Sequence, residues 1–322
     1  MKRILWRAAW SLVTATGAAG VTAQSYPVKP VRVVVPHAAG GGSDTVARLI
    51  GAEITKAWGQ QVIVENRVGA GGIIGSEYVA RAAPDGYTLL VNEIGGMVIR
   101  LNIHPKAPFD PGRDFAAVAM GAYGANVLVC HPSLPVRSTA QLIALAKARP
   151  GELNFTVPGI GSVAHLAGVE LEQMAGVKWA YIPYKGGGPA IQDLIGGQAD
   201  FAVNGMLATY PHVRSGRLRA IAVASRGRHP AIPEVPTIAE TVPGHESGSW
   251  QGILAPAGTP RDIVLKWNAE IARINATAAM KEKLAALGAI PEAMSPEQMQ
   301  QFVGAERARW ARVVQKAQIK LE

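Results

Sequence analysis

Three consecutive glycines, Gly40-Gly41-Gly42, stand between an apolar β-branched run and a helical pattern. The run is Val31-Arg32-Val33-Val34-Val35, bounded by Pro30 and Pro36, and Ser43-Asp44 opens the helix. A strand that ends in glycines and feeds a helix leaves first-turn N–H groups without partners, at the positive end of the helix dipole. Such a junction attracts anions. A second one follows: a strand over 153–157, then Gly159-Ile160-Gly161-Ser162, then a helix from Val163. Two facing turns of this kind hold a small carboxylate without any Lys or Arg.

The rest of the chain alternates in the same way. A helix over 45–58 places Val46, Leu49, Ile50 and Ile54 on one face and stops at Gly59. Strands are expected at 62–65 and 88–91, with a helix at 74–82 and a Pro84-Asp85-Gly86 turn between them. The middle repeats the rhythm: a strand at 126–130, a helix ending near Arg149 behind a Ser138/Gln141 capping box, the strand before Gly159, a helix to Ala175, strands at 180–182, 201–203 and 218–223, and a helix near 189–195. The proline-rich stretch 230–243 reads as a connection. Thr259-Pro260 and Ser295-Pro296 each read as an N-cap followed by proline at the first helical position. This βαβ order predicts an α/β fold of two lobes, each a mostly parallel sheet flanked by helices, with a cleft between them. The C-terminal helices are expected to return to the first lobe.

Bulk properties narrow the class. Met1-Lys2-Arg3 and Arg7 precede a short apolar stretch that ends at Val21-Thr22-Ala23, the pattern of a secretory signal peptide over 1–23. Removing Lys2, Arg3 and Arg7 lowers the formal charge from +9 to +6. That balance suits an anionic ligand, but the basic residues are scattered and no basic run carries interleaved aromatics, which argues against nucleic acid. Cys130 is the single cysteine, so no internal disulfide forms, and its apolar neighbours make it a buried hydrophobe.

Several chemistries fail on spacing. No Gly-Lys pair occurs, so no phosphate loop of the GxxxxGK[ST] type is present. Gly159-Ile160-Gly161-Ser162-Val163-Ala164 fits G-x-G-x-x-A, but the next strand ends in Pro183-Tyr184-Lys185, with no acid for a ribose. The seven histidines, at 37, 104, 131, 165, 212, 229 and 245, lack partners at metal-ligand spacing. Ser162 and His165 form the one candidate nucleophile–base pair, on which a secreted esterase-like hydrolase would rest; no acid is placed to orient the ring, and no G-x-S-x-G elbow exists. Asp44 would repel an anion beside it, so its expected role is to bond amides of its own helix. Asn66-Arg67-Val68-Gly69-Ala70-Gly71-Gly72 is a third glycine-rich loop, which either tightens the fold or shapes the rim.

A run of ordered motifs then spans most of the chain: Tyr26-Pro27; the segment 36–44; Glu65-Asn66-Arg67 with Gly69–Gly72; Pro84-Asp85-Gly86-Tyr87-Thr88-Leu89-Leu90; Phe109-Asp110-Pro111 with Asp114-Phe115; Gly159, Gly161, Ser162 and His165-Leu166; Pro183-Tyr184-Lys185-Gly186; Gly197-Gln198-Ala199-Asp200-Phe201; Pro236-Thr237 with Glu240; and Trp250 before Ala255-Pro256-Ala257-Gly258-Thr259-Pro260. In these the chain resembles the extracytoplasmic solute receptors of tripartite tricarboxylate transporters, the Bug family. The resemblance implies a two-lobed periplasmic binding protein (type II-like) whose lobes, 24–122 with 227–322 and 123–226, are joined by crossing strands and close by hinge motion. It implies capture of a small mono- or dicarboxylate for membrane permease subunits, by a monomer without cofactor or metal, and no catalysis. A ligand-sensing adaptor for a signalling protein is the other non-enzymatic role.

The candidate ligand-binding residues are His37, Ala38, Ala39, Gly40, Gly41, Gly42, Ser43 and Asp44 in the first turn, Gly159, Gly161, Ser162 and His165 in the second, and Asn204 past the strand at 201–203. The chain departs from the family pattern at His37, where an aromatic residue is usual, and over 95–108, where Gly95-Gly96-Met97-Val98-Ile99-Arg100 replaces a polar stretch.

Overall fold

The computed structural model describes residues 26–103, 108–184, 187–225 and 227–317. The expected leader at 1–23, His104, and Lys185-Gly186 of the matched motifs lie outside the described residues. The strands are β1 (Val31–Val35), β2 (Val62–Asn66), β3 (Thr88–Glu93), β4 (Phe115–Cys130), β5 (Asn154–Val157), β6 (Ala180–Pro183), β7 (Phe201–Gly205), β8 (Arg219–Val223) and β9 (Gly248–Pro256). The helices are α1 (Gly42–Trp58), α2 (Ile73–Ala80), α3 (Arg100–Ile103), α4 (Pro111–Asp114), α5 (Thr139–Ala148), α6 (Val163–Ala175), α7 (Gly187–Ile195), α8 (Met206–Arg214), α9 (Arg261–Ala276), α10 (Ala278–Ala286) and α11 (Pro296–Ala317).

One sheet path, β2-β1-β3-β9-β4-β7-β5-β6 with β8 on β4, runs through two halves of the same plan. In the first, β2, β1 and β3 are parallel and β9 lies antiparallel to β3. In the second, β6, β5 and β7 are parallel and β4 lies antiparallel to β7. Both halves thus order their first three strands second–first–third and end on a long antiparallel strand. The long strands are the crossing ones. β4 pairs with β9 as far as Ala125, then with β7 from Asn126 onward.

Sequence reading places a strand at 126–130 only and none at β9. The missing half of β4 is rich in alanine and glycine, which carry little β signal. Its small residues are explained by crowding: a Cβ at Gly121 would meet Ile253 and Val46 side chains at 2.9 Å. Two helix starts also differ from expectation. Thr259 does not cap α9; its hydroxyl donates to the Pro256 carbonyl (2.8 Å), and the cap position is Pro260. Ser138 does cap α5, but the Gln141 side chain accepts from Arg137 N–H rather than from the cap residue.

The sheet is buried on both faces, as parallel strands under crossover helices must be. In β1, Val31, Val33 and Val35 pack with α1, Trp267 and Ile271 of α9, and Met280 and Leu284 of α10. Val34 faces the other way, toward Met299, Val303, Trp310 and Val314 of α11. The C-terminal helices therefore return to the first half. In the second half Leu128, Phe155, Phe201 and Val203 share a core with α5 and α6. Ile238 and Val242 belong to that same core, and His245 Nε2 lies 3.3 Å from the Ala167 carbonyl of α6. The segment 227–247 thus packs on the second half, whereas the expected boundary assigns it to the first.

Candidate functional site

The helices that follow parallel strands begin at the carboxyl edge of the sheet, and there the two halves enclose a cavity of about 790 Å³. Four helix N-termini line it. They are the turn 37–43 before and into α1, Ser162, Val163 and Ala164 of α6, Gly187, Gly188 and Pro189 of α7, and Gly205 through Ala208 at the start of α8. Asn126 and Asn204 complete the wall near the crossing point. No Lys or Arg is among the described lining residues. Helix N-termini point partial positive charge from backbone N–H groups at this cavity.

The first turn is stapled by Asp44. This side chain is buried, and one of its oxygens accepts from Gly40 N–H (2.9 Å), while Arg48 and Asn66 Nδ2 donate to the carboxylate from behind. Burial works against its charge, but the bonds from Arg48, Gly40 and Asn66 outweigh it and hold its pKa below the ordinary carboxylate value. Asp44 thus points away from the cavity. It bonds the amide upstream of the helix instead of amides of its own helix, so the Gly40 N–H expected for the ligand is already used. Neither Ser43 nor Asp44 is the N-cap; that position is Gly41, without a side-chain cap bond. What remains free is better placed: the N–H groups of Gly42, Ser43 and Asp44 have no acceptor among the described residues. The Asn66 side chain also donates to the His37 carbonyl, and the His37 ring lies against Gly72, where a Cβ would come within 3.2 Å. The third glycine loop therefore buttresses the first turn.

The second turn is stapled by His165. The ring is buried in the second half, edge-on to Tyr181 (centroids 4.7 Å apart), and Nδ1 accepts from Gly161 N–H (3.0 Å). Burial lowers its pKa to about 4, so it stays neutral near neutrality. Gly159 is likewise committed, its carbonyl accepting from Ser162 N–H. Asp44, Gly159, Gly161 and His165 are accordingly not lining residues, while His37 through Ser43, Ser162 and Asn204 are. Ser162 is the N-cap of α6, accepting from His165 N–H (3.2 Å), and its own hydroxyl proton is left over. The Val163 and Ala164 amides have no acceptor among the described residues. The His165 ring does not receive the Ser162 proton, because the nitrogen that could accept it holds Gly161. The nucleophile–base pair needed by a hydrolase is absent.

Several lining residues carried no sequence signal. Glu93, Ser249 and Gln251 form a polar chain on the cavity floor: Gln251 Nε2 donates to Ser249 Oγ (3.3 Å), which donates to Glu93 Oε2 (3.0 Å). His37 Nε2 lies 2.9 Å from Asn92 Oδ1; since that oxygen also accepts from Glu93 N–H, the ring nitrogen is the donor. The α7 terminus opens on Gly187-Gly188-Pro189, close to the helix expected near 189–195, whereas α8 after Asn204-Gly205 was not expected.

Residues 46–319 match the model of the tripartite tricarboxylate transporter family receptor, TctC. The chain belongs to this family. Protein BugT of Bordetella pertussis is 38% identical over 324 residues, spanning 100% of this chain and 99% of the relative. Among solved structures, R. palustris Rpa4515 with adipate superimposes with a TM-score of 0.86 at 38% identity, covering 92% of this chain and 99% of that one. MatC from Rhodopseudomonas palustris with bound malate gives 0.80 at 37% identity, covering 90% and 100%. The TctC receptors among these neighbours are two-lobed solute-binding proteins and not enzymes, in keeping with the way His165 is engaged here. No helix among the described residues of this TctC chain is long and apolar enough to cross a membrane.

Proposed function

We propose that this receptor captures a small mono- or dicarboxylate in the cleft, outside the cytoplasmic membrane, and presents it to the permease subunits of a tripartite transporter. The observation that carries the reading is the set of unpaired first-turn amides, Gly42 and Ser43 in α1 and Val163 and Ala164 in α6, on one cavity with no Lys or Arg among its described lining residues. Charge-assisted hydrogen bonds are worth about 1.5–3 kcal/mol each, so three or four such bonds approach the roughly 8 kcal/mol of micromolar affinity. The turns are held in shape before the ligand arrives, which limits the entropy lost on binding. Adipate and malate in the related structures are anions of the size and charge this cavity suits.

In this reading the lobes divide where β4 and β9 cross, so the second lobe takes in 227–247, and the monomer closes by bending at those strands. Secretion follows from the leader pattern at 1–23 and puts the cleft in the periplasm. The test is calorimetry of the mature chain against mono- and dicarboxylates. Micromolar binding that weakens on Ser43→Ala and Ser162→Ala is expected. A protein that binds none of them, or whose affinity ignores both serines, would overturn the proposal.

A further inference from the structure

The last helix, α11, belongs to the first half, where Met299, Val303, Trp310 and Val314 anchor it in the core. Two of its ion pairs stay in that half: Glu297 with Arg261 of α9, and Arg307 with Asp110 just before α4, each at 2.8 Å. Arg309 does not. Its guanidinium lies over the Trp310 ring, 4.9 Å from the centroid, and Nη1 is 3.7 Å from Glu306 Oε1. Trp310 Nε1 donates to the other oxygen of Glu306 (3.2 Å). Its own helix thus orients the guanidinium. Nη2 is directed at the second half, where it donates to Glu170 Oε2 of α6 (3.3 Å) and to the Glu246 carbonyl, in the segment leading into β9. The Arg309 and Glu170 side chains are only 27% and 17% exposed, so solvent screens this pair less than a surface pair.

The contact extends an apolar seam. Val163 and Leu166 of α6 share the first-half core with Met97, Trp250 and Trp310. Val163, Leu166 and Glu170 fall at helical spacing on one face of α6, the face turned to α11. The first turn of the same helix carries the Ser162 hydroxyl and the free Val163 and Ala164 amides. One rigid helix therefore joins the cleft to the seam. We propose that Arg309 is a positioning residue that sets the angle between the lobes, by clasping α6 and the segment before β9 from the opposite half. This goes beyond the ligand reading and takes from it only the two lobes and their hinge at β4 and β9. Bending there carries Glu170 with one lobe and Arg309 with the other, so the contact is made at one angle and lost at another. A contact that distinguishes two arrangements shifts their populations.

The test measures the lobe separation of the full mature chain without ligand. Ala57→Cys in α1 and Ala148→Cys in α5, both exposed, carry spin labels for pulsed dipolar spectroscopy, while Cys130 is buried and stays unlabelled. Arg309→Met should shift or widen the distance distribution by about 2 Å or more, the scale of a domain rearrangement. Arg307→Met breaks an ion pair of the same helix inside one half, and should leave the distribution as in the parent even where the melting temperature falls. Glu170→Met should move it in the same sense as Arg309→Met, and the double variant no further than Arg309→Met alone, because the two residues act through one contact. A lower melting temperature with an unmoved distribution in Arg309→Met means support of the fold only and overturns the proposal. An equal shift in Arg307→Met, or additive shifts in the double variant, overturns it too. If Arg309→Met does not fold, Glu170→Met against the parent decides alone. Carboxylate affinity is not read in this experiment, so the receptor proposal stands or falls separately by calorimetry.

Discussion

The turns that open α1 and α6 occupy equivalent places, each following the central parallel strand of its half, and each presents unpaired amides to the cleft. They are held by opposite means. In the first, an anionic side chain, Asp44, ties down Gly40 N–H and is itself supported by Arg48 and Asn66. In the second, a neutral ring, His165, ties down Gly161 N–H in an apolar setting. Backbone geometry is the shared requirement and side-chain chemistry is not. An N–H that would compete for the ligand's position needs some acceptor, and either a carboxylate or an uncharged imidazole nitrogen serves. The difference shows in stability: the first staple depends on charge and the second on its absence.

Asp44→Ala is the most severe way to break the first staple. It removes a buried acceptor shared by three donors and should cost about 3–4 kcal/mol in urea unfolding, from charge-assisted bonds of about 1.5–3 kcal/mol each, reduced because Arg48 is half exposed. A loss below 1 kcal/mol would show that the turn keeps its shape without Asp44.

The second staple should show itself through pH. The folded pKa of His165, about 4, lies below the ordinary 6.5, so the native state binds fewer protons between these values. Its contribution is complete above pH 6.5 and is lost as pH falls toward 4, a total of roughly 3 kcal/mol. Buried His229 and His245 are lowered in the same direction, so the informative quantity is the difference between the parent and His165→Gln over pH 7.5 to 4.5. Equal slopes in the two proteins would refute the assignment. Asp44, with its lowered pKa, acts in the same sense at more acid pH, below the ordinary carboxylate value, so the two staples separate along the pH axis.

Gly40→Ala probes backbone alone. Gly40 has φ +81°, with nothing within 4 Å of a Cβ, so the cost is conformational, about 1–2 kcal/mol. A neutral result would mean the turn relaxes to another conformation. The smallest effects distinguish the serines. Each should lose roughly 1 kcal/mol of carboxylate affinity on change to Ala, five- to tenfold. Only Ser162→Ala should also lose about 1 kcal/mol of stability, because Ser162 caps its helix and Ser43 does not. Matching stability losses would erase that distinction.

The strand–glycine–helix junctions were legible from sequence because they are local. A β-branched run, glycines that take positive φ and an apolar helical face lie within a few residues of one another. The α/β alternation followed, as did the unpaired first-turn amides. β9 and most of β4 were not legible, since alanine and glycine become strand there only by pairing with each other across more than a hundred residues of chain. Asp44 was placed among the ligand-binding candidates and expected to bond amides of its own helix; the structure has it off the cavity lining and bonded to Gly40 N–H.

Sequence alone thus determined that two glycine-rich strand–helix turns exist, because glycine conformation and helix initiation are short-range properties. Only the tertiary structure decided which amides Asp44 and His165 consume, that α7 and α8 point their first turns into the same cavity, and that Glu93 and Gln251 form its floor. Those outcomes depend on how two sheet halves meet, and distance through space is not written in distance along the chain.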